Sequence, residues 1–150
     1  MDSIKQALND LRAGKMIVVV DDEDRENEGD LIIAAEYATP AAINFMVTHA
    51  RGLVCLALTN SDFQRLQIPM MAQHNQAAHK TPFGVSIEAA KGVSTGISAS
   101  DRAATIQTAI NPESSPKDIV MPGHVFPLNA NPAGVLARNG HTEAGVDLAR

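Results

Sequence analysis

A dense acidic segment between two apolar runs is the feature of this sequence that most restricts its fold. Residues 21–30 read DDEDRENEGD and hold seven of the 17 acidic residues of the chain, with a single arginine. Elsewhere acidic and basic residues nearly balance, so this segment accounts for the formal net charge of -5. A buried strand is predicted just before it, over residues 16–21. Because like charges at a strand end repel one another, we expect a loop whose charge is compensated by a positive group.

The charge pattern within this acidic loop favours a site for a hard divalent cation. If the loop is extended, alternate side chains point the same way, and five carboxylates share one side. These are Asp22, Asp24, Glu26, Glu28 and Asp30. Carboxylate oxygens at that density suit Mg²⁺ or Mn²⁺ rather than zinc. Without a cation, we expect repulsion to raise some of the carboxyl pKa values and to keep the loop mobile.

Two other interpretations of the acidic loop remain open at this point. It could be a solvated turn that binds nothing, since charge runs often lie on a solvated face. It could also be an interaction module that docks a basic partner. In that case neutralising Glu26 and Glu28 would abolish partner binding, and Mg²⁺ would not order the loop.

Length and composition predict one domain over residues 1–150 with its own core, because 45% of the 150 residues are hydrophobic. No apolar run approaches the roughly 20 residues needed to span a bilayer. The N-terminus, Met1 to Ser3, lacks the features of a secretory signal. The single cysteine cannot form an intramolecular disulfide. The acidic balance argues against nucleic acid as a partner. We therefore expect a cytoplasmic protein without a membrane or nucleic-acid partner.

Helix and strand patterns alternate along the chain and predict an α/β fold with a mixed β-sheet flanked by helices. Predicted helices run from Ser3 to about Gly14, Thr39 to about His49, Asn60 or Ser61 to about Leu66, Ser98 or Ser100 to Ile110, and from Thr142 onward. Predicted strands cover 16–21, 31–35, 53–58, 84–88 and 124–128, with a long loop over 69–82 and a linker over 112–122. The last helix has barely two turns and no following strand, so we expect a chain that ends early.

A second candidate site is the segment Arg138-Asn139-Gly140-His141-Thr142. Free backbone N–H groups, a hydroxyl and a guanidinium converge at this predicted helix start, which is a workable phosphate site. His141 could ligate a metal through one imidazole nitrogen. The alternative is an ordinary threonine cap beside a surface histidine.

Three weaker patterns also leave alternatives open. His124 follows a glycine at the start of an apolar strand, and either has a function or is a strand-edge residue bonded to backbone. Residues 94–96, ahead of a serine-capped helix, form either a second anion turn or plain capping. Cys55 is predicted to be a small core residue rather than a nucleophile. No partner pattern accompanies His49, His74 and His79, so they are assigned no role.

Four segments together resemble the 3,4-dihydroxy-2-butanone 4-phosphate synthase family of riboflavin biosynthesis. They are Asp21–Asp30, Gly92–Arg102, Gly123–Leu128 and Arg138–Ala144, in this order and at these spacings. The acidic decapeptide and the His-Thr-Glu-Ala turn are the most specific of them. The resemblance implies an α/β fold, with a mixed sheet between helices, and a homodimer whose active sites lie near the subunit interface. It also implies conversion of D-ribulose 5-phosphate to L-3,4-dihydroxy-2-butanone 4-phosphate and formate, with Mg²⁺ or Mn²⁺.

The resemblance also assigns roles to individual positions. It implies that Glu26 and His141 hold the metal, and that Arg138 and Thr142 bind the substrate phosphate. Further substrate contacts are implied for Arg25, Glu26, Asp30, Asn139, Gly140 and His141. The catalytic group is implied to be His124, Glu26, Glu28 and Asp30, with His124 as a proton carrier or orienting residue. Asp21 and Cys55 match positions that line the site.

No residue of this chain matches an acidic catalytic residue that the family carries beyond the position of Arg150. The alternative function is therefore a truncated or degenerate domain that binds metal and sugar phosphate without catalysis.

Overall fold

The computed structural model describes residues 3–150 of the chain. Its helices are α1 (Ile4–Arg12), α2 (Pro40–His49), α3 (Asn60–Leu66), α4 (Ala99–Ile110) and α5 (His141–Leu148). Its strands are β1 (Ile17–Val20), β2 (Gly29–Ile32), β3 (Cys55–Leu58), β4 (Ile87–Ala89) and β5 (Ile119–Asn129). Short 3₁₀ turns cover Ala35–Tyr37 and Gly134–Leu136.

Residues 1 and 2 belong to the N-terminus interpreted above as lacking a secretory signal, and they lie outside the described residues. In the part of the chain from residue 3 onward, no helix combines the length and apolar character that crossing a membrane requires.

The strands form two sheets. β1 and β2 make an antiparallel hairpin around the acidic loop, in which Ile17 lies opposite Ile32 and Val20 opposite Gly29. The other sheet has the order β3-β5-β4, with β5 in the centre, parallel to β3 and antiparallel to β4. This architecture, with its mixed sheet and flanking helices, confirms the predicted α/β fold.

The core lies between the three-stranded sheet and the pair of helices α2 and α4, which contact each other. From the sheet, Leu56, Ile87 and Val125 are buried, and Ile43 and Ile106 face them from the two helices. The buried apolar residues of α4, Ala103, Ile106 and Ala109, recur every three residues, so one apolar stripe of that helix faces the core. Packing on this face fixes β5 and β3, and thereby the segments that follow them.

Several predicted strand boundaries are wrong, and among them the strand expected over 84–88 is β4 at Ile87–Ala89. The strand expected over residues 31–35 lies at Gly29–Ile32, because pairing with β1 brings Gly29 and Asp30 into the hairpin. The linker expected over 112–122 ends early, and β5 is one long strand from Ile119. Its first residues pair with β4, where Ala89 lies opposite Ile119.

Helix starts agree with the predicted caps at Ser3, Thr39 and Ser98. α3 is instead capped by Thr59, whose side chain and that of Asp62 form a reciprocal capping box. α5 begins at His141 after Gly140, so the prediction of Thr142 as its cap is wrong. No side chain caps α5, which leaves N–H groups of its first turn free.

Candidate metal centre

The acidic loop turns tightly around the carboxylate of Asp21. That carboxylate accepts hydrogen bonds from the backbone N–H of Glu26 at 3.0 Å and of Glu28 at 2.9 Å, and from Arg25 Nη1 at 2.8 Å. Asn27 adopts a left-handed conformation, with φ 53°. The prediction of an extended loop with alternating side chains is therefore wrong, because these bonds close residues 21–28 into a turn.

The pKa of Asp21, which is not one of the five carboxylates for which repulsion was expected to raise the pKa, is lowered. The backbone N–H of Glu28 lowers it most, and Arg25 and the N–H of Glu26 lower it further, while burial acts in the opposite sense. The net effect is to lower the pKa of Asp21 to about 2. Donors within the loop therefore stabilise the charge of Asp21.

His141 closes a cluster of potential metal ligands. One ligand atom each from Asp21, Glu26 and His141 lies within 4.8 Å of the other two. The His141 side chain is only 10% exposed, with Nδ1 3.7 Å from Asp30 Oδ2 and with a buried Nε2 that lacks any hydrogen-bond partner in the described residues. Two carboxylates and an imidazole are donors that Mn²⁺ and Mg²⁺ accept. These residues fit a divalent cation, because the unpartnered Nε2 is a nitrogen still available to a ligand.

Arg25, the single arginine of the acidic loop, bridges two of its carboxylates. Its Nη1 contacts Asp21 at 2.8 Å, and its Nη2 contacts Glu26 Oε1 at 2.9 Å. In this structure Arg25 therefore binds two carboxylates of the loop, and its predicted contact with a substrate remains a prediction. A cation in the cluster would share Glu26 with this guanidinium.

Arg138 lies across the start of α5. Its Nη1 donates to Glu143 Oε2 at 2.6 Å, and its Nη2 donates to the carbonyl of His79 at 3.1 Å. Glu143 is fully buried and also accepts from the N–H of Asn131. Gly140 makes room for this arrangement, because a Cβ there would overlap with the guanidinium. The free N–H groups of α5 and this guanidinium make a positive end suited to an anion.

A cavity of about 810 Å³ adjoins the cluster. It brings together several predicted site residues, namely Glu28, Asp30, Cys55, His141 and Thr142. Most of its remaining wall is apolar and includes Leu31, Ile33, Met46, Val47, Leu53, Ile110 and Val146. Consecutive residues of β2 and of β3 line the cavity. Because successive side chains of a strand point to opposite faces, each strand borders the cavity with the edge left unpaired in the described chain rather than with one face.

Cys55 is not the core residue that the sequence predicts, because it is exposed at this cavity. The atoms packed around its thiol still exclude enough water to raise its pKa to about 11, and the charge of Asp30 adds to the effect. A thiol with a raised pKa is a poor nucleophile. The expectation that Cys55 is not a nucleophile agrees with this environment.

His124 lies apart from the cluster. It is on β5, where its Nδ1 is 2.8 Å from Glu88 Oε2. Across residues 3–150, neither the ligand cluster nor the cavity lining includes it. The hydrogen-bond partner of His124 is thus the carboxylate of Glu88, whereas the alternative interpretation of the sequence expected a backbone partner. The described chain thus places His124 and the Glu26–His141 pair in different surroundings.

The turn over residues 94–96 is occupied by the protein's own carboxylate. Asp101 Oδ2 accepts from the N–H and hydroxyl of Ser94 and from the N–H of Gly96. These bonds, the Ser94 hydroxyl first, lower the pKa of Asp101. Because the donors already bind Asp101, the structure favours plain capping over a second anion site.

His79 is the residue near the site that sequence reasoning missed. The long loop over residues 69–82 brings its Nδ1 to 3.9 Å from Glu26 Oε1, while its carbonyl holds Arg138. No local spacing pattern could have revealed this, since the approach depends on how the loop folds back. The loop's high content of histidine and methionine was the only trace in the sequence.

Comparison with known proteins gives the family. The family model of 3,4-dihydroxy-2-butanone 4-phosphate synthase matches residues 5–150. A protein of that name from Neisseria meningitidis serogroup B is 60% identical over 147 residues, which are 98% of this chain and 40% of the relative. The riboflavin biosynthesis protein RibBA of Synechocystis is 59% identical over 151 residues, which cover 99% of this chain and 27% of the relative. The chain thus spans less than half the length of these relatives.

Solved structures agree in fold. A 3,4-dihydroxy-2-butanone 4-phosphate synthase in complex with two magnesium ions superposes with a TM-score of 0.97 at 45% identity, over all of this chain and 70% of that one. RibBX, a two-domain synthase of that name from A. baumannii, gives 0.95 at 53% identity, over 99% of this chain and 44% of that one. The chain therefore belongs to the 3,4-dihydroxy-2-butanone 4-phosphate synthase family.

Proposed function

We propose that this chain acts in riboflavin biosynthesis as the lyase that converts D-ribulose 5-phosphate to L-3,4-dihydroxy-2-butanone 4-phosphate and formate. The observation that supports it most is the cluster of Asp21, Glu26 and His141 next to the free start of α5. A cation site and an anion site thus share one residue, His141. That combination suits a phosphorylated sugar whose oxygens bind a metal.

Glu26 and His141 are the proposed metal ligands, and Asp21 is close enough to join them. At these ligands, Mg²⁺ or Mn²⁺ would supply Lewis acidity for the carbonyl and hydroxyl oxygens of the sugar. A related synthase structure contains two magnesium ions, which supports a divalent cation. Arg25 holds the Glu26 carboxylate in place through its Nη2.

The phosphate group is proposed to bind between Arg138 and the first turn of α5. A guanidinium and free helix N–H groups both favour a doubly charged anion. Asn139, Gly140 and Thr142 belong to the same turn, and Thr142 also lines the cavity. Anchoring the phosphate there would direct the sugar carbons towards Glu28 and Asp30 on the cavity wall.

The reaction requires enediol formation, loss of a hydroxyl group as water, a shift of the carbon skeleton, and re-addition of water as the one-carbon fragment leaves as formate. Each step moves a proton, and Glu28, Asp30 and His124 are the proposed carriers. Carboxylates in different surroundings have different affinities for protons, which lets one release a proton while another accepts it. No external reductant or oxidant is needed for the overall conversion.

We also propose a homodimer whose active sites lie near the subunit interface. His124 supports it, because it belongs to neither the described ligand cluster nor the cavity lining of its own chain, and a second copy could bring it to the Glu26–His141 pair. The proposed location is the cytoplasm, where a lone cysteine such as Cys55 stays reduced.

Formate release from D-ribulose 5-phosphate, measured with Mg²⁺ and with EDTA, tests the proposed function. We expect formate with Mg²⁺ and none with EDTA. Glu26→Gln should abolish the activity, whereas the exposed Glu23→Gln serves as the matched control and should retain it. A folded chain that binds the sugar phosphate with Mg²⁺, yet releases no formate, would replace this proposal by the non-catalytic binding domain.

A further inference from the structure

The side chain of His124 is paired with a buried carboxylate that neither the sequence patterns nor the family resemblance singled out. Glu88 Oε2 lies 2.8 Å from His124 Nδ1. Glu88 is only 9% exposed, whereas the His124 side chain is 42% exposed. The acid is thus fixed inside the fold, and the imidazole reaches from it towards solvent.

Close packing holds Glu88 in this place. Gly96 adopts a positive φ of 86° directly over the carboxylate, and a Cβ at Gly96 would overlap with Glu88. Behind it, a Cβ at Gly123 would overlap with the backbone of Ile87. The N–H of Gly123 also donates to Ser86 Oγ at 3.1 Å. Two glycines therefore let the chain approach Glu88 from both sides, and they leave its carboxylate little freedom to rotate.

The pairing selects one form of the neutral imidazole. A carboxylate accepts hydrogen bonds, so His124 Nδ1 carries the proton that it donates to Glu88. Nε2 then has a free lone pair, and it makes no hydrogen bond to the described part of the chain. A histidine with Nδ1–H held by a carboxylate and with a free Nε2 is arranged to accept a proton from a reactant.

We propose that Glu88 is a positioning residue that fixes the Nδ1–H tautomer of His124 and presents Nε2 to the substrate. The inference rests on the proposed function, because it specifies how His124 would act as proton carrier. It assigns a task to the turn over residues 94–96, which closes over Glu88 rather than binding an external anion.

The tautomer can be measured without any activity. In a chain labelled with ¹⁵N in its histidine rings, at a pH high enough for neutral imidazole, the two ring nitrogens of His124 have distinct chemical shifts. A His124→Asn variant identifies which signals belong to this residue. We expect a protonated Nδ1 and an unprotonated Nε2 in the wild type. An Nε2–H tautomer in the wild type would overturn the inference, whatever the behaviour of any variant.

Glu88→Gln then tests the dependence on the carboxylate. Its amide can donate as well as accept, so we expect the two tautomers to mix, while Glu113→Gln, at an exposed site, leaves His124 unchanged. An unaltered tautomer in folded Glu88→Gln would overturn the inference. If Glu88→Gln does not fold, Glu88→Asp retains the carboxylate at a shorter reach, and the wild-type spectrum still decides.

Formate release separates this inference from the proposed function. We expect Glu88→Gln to lower kcat about 100-fold with little change in KM, since general acid–base groups contribute about 10² to 10⁴ in rate. A rise in KM of similar size with an unchanged kcat would overturn the positioning role. A wild-type chain with the Nδ1–H tautomer but without formate release would remove the proposed function and leave the tautomer assignment supported.

Discussion

Asp21 shows how one residue can determine the form of a whole loop. Its carboxylate binds two backbone N–H groups and Arg25, and it also belongs to the ligand cluster. Because the pKa of Asp21 is lowered from 3.8 to about 2, the unfolded chain binds more protons than the folded chain in that pH range. Asp21 therefore contributes stability above pH 3.8, and this contribution is lost as the pH falls through about 2.

We predict that Asp21→Asn removes this part of the acid sensitivity. The free energy of unfolding, measured by denaturant titration between pH 5 and pH 2, should fall less steeply for Asp21→Asn than for the wild type. Asp24→Asn, an exposed change in the same loop, is the matched control and should follow the wild-type slope. If the free energies of unfolding of the wild type and of Asp21→Asn fall equally steeply with pH, the hydrogen bonds to Asp21 in the loop do not persist in solution.

Arg138 is predicted to recognise the phosphate rather than the sugar. Arg138→Ala should weaken binding of D-ribulose 5-phosphate far more than that of unphosphorylated ribulose, as measured by calorimetric titration with Mg²⁺. The change also leaves buried Glu143 without its charged partner, which by itself destabilises the fold. The double variant Arg138→Ala, Glu143→Gln removes that charge and isolates the binding effect. Equal losses for both sugars would exclude Arg138 as the phosphate anchor.

At this scale the sequence indicated the chemistry of the site better than its geometry. The pattern and the resemblance pointed to Glu26, His141 and Arg138, and the structure places all three around the start of α5. The pairing of Asp21 with Glu26 could not be predicted by alternation, because it depends on bonds that close the loop. The approach of His79 depends on the path of a long loop, which no local pattern specifies.

Among the elements, helix starts were predictable where a single residue offered a cap, as at Ser3 and Thr39, and Ser98 is one of the two caps predicted for α4. The prediction failed at α3, where Thr59 competes with its polar neighbours and wins because Asp62 completes a capping box. The first residues of β5 were assigned to a linker in the prediction, since Pro122 lies among them and proline usually marks an edge or a break. Its central place in the sheet arises from pairing with β3 and β4, which are distant in sequence.

Gly145 offers a test of packing in α5. A Cβ there would lie 3.7 Å from the Cβ of Ala57, an ordinary contact, and the residue is inside the helix. We predict that Gly145→Ala raises the free energy of unfolding by about 0.5–1 kcal/mol, since glycine is the poorer helix former. Urea denaturation measures it. Gly123→Ala is the opposite control and should destabilise, because its Cβ would overlap with the backbone of β4.

A loss of stability in Gly145→Ala would mean that α5 sits closer to β3 than the structure places it. That result would also reduce the cavity, because Gly145 and Ala57 both line it.

At the scale of the whole molecule, the distinctive feature is a large apolar cavity between strands that each have one partner. In the described chain, β2 pairs with β1 and β3 pairs with β5, and the other edge of each borders the cavity. Solved relatives with this fold are longer; the synthase with two magnesium ions shares 70% of its chain with this one. Sequence patterns gave no indication of this cavity, because the apolar residues of β2 and β3 have the same pattern as those of strands that are paired on both edges.

We predict that the central strand β5 and the edge strand β3 differ in the rate of amide hydrogen exchange. β5 lies between two strands, so its amides should exchange slowest, while every second amide of β3 faces the cavity and should exchange many times faster. Exchange followed by NMR on the folded chain measures both strands at once. Uniformly slow exchange along β3 would mean that its free edge is covered in solution. Repeating the measurement after dilution then identifies what covers this edge. Exchange that becomes faster on dilution would mean that a second copy of the chain covers β3. Exchange that is unchanged on dilution would mean that a segment of the same chain covers it.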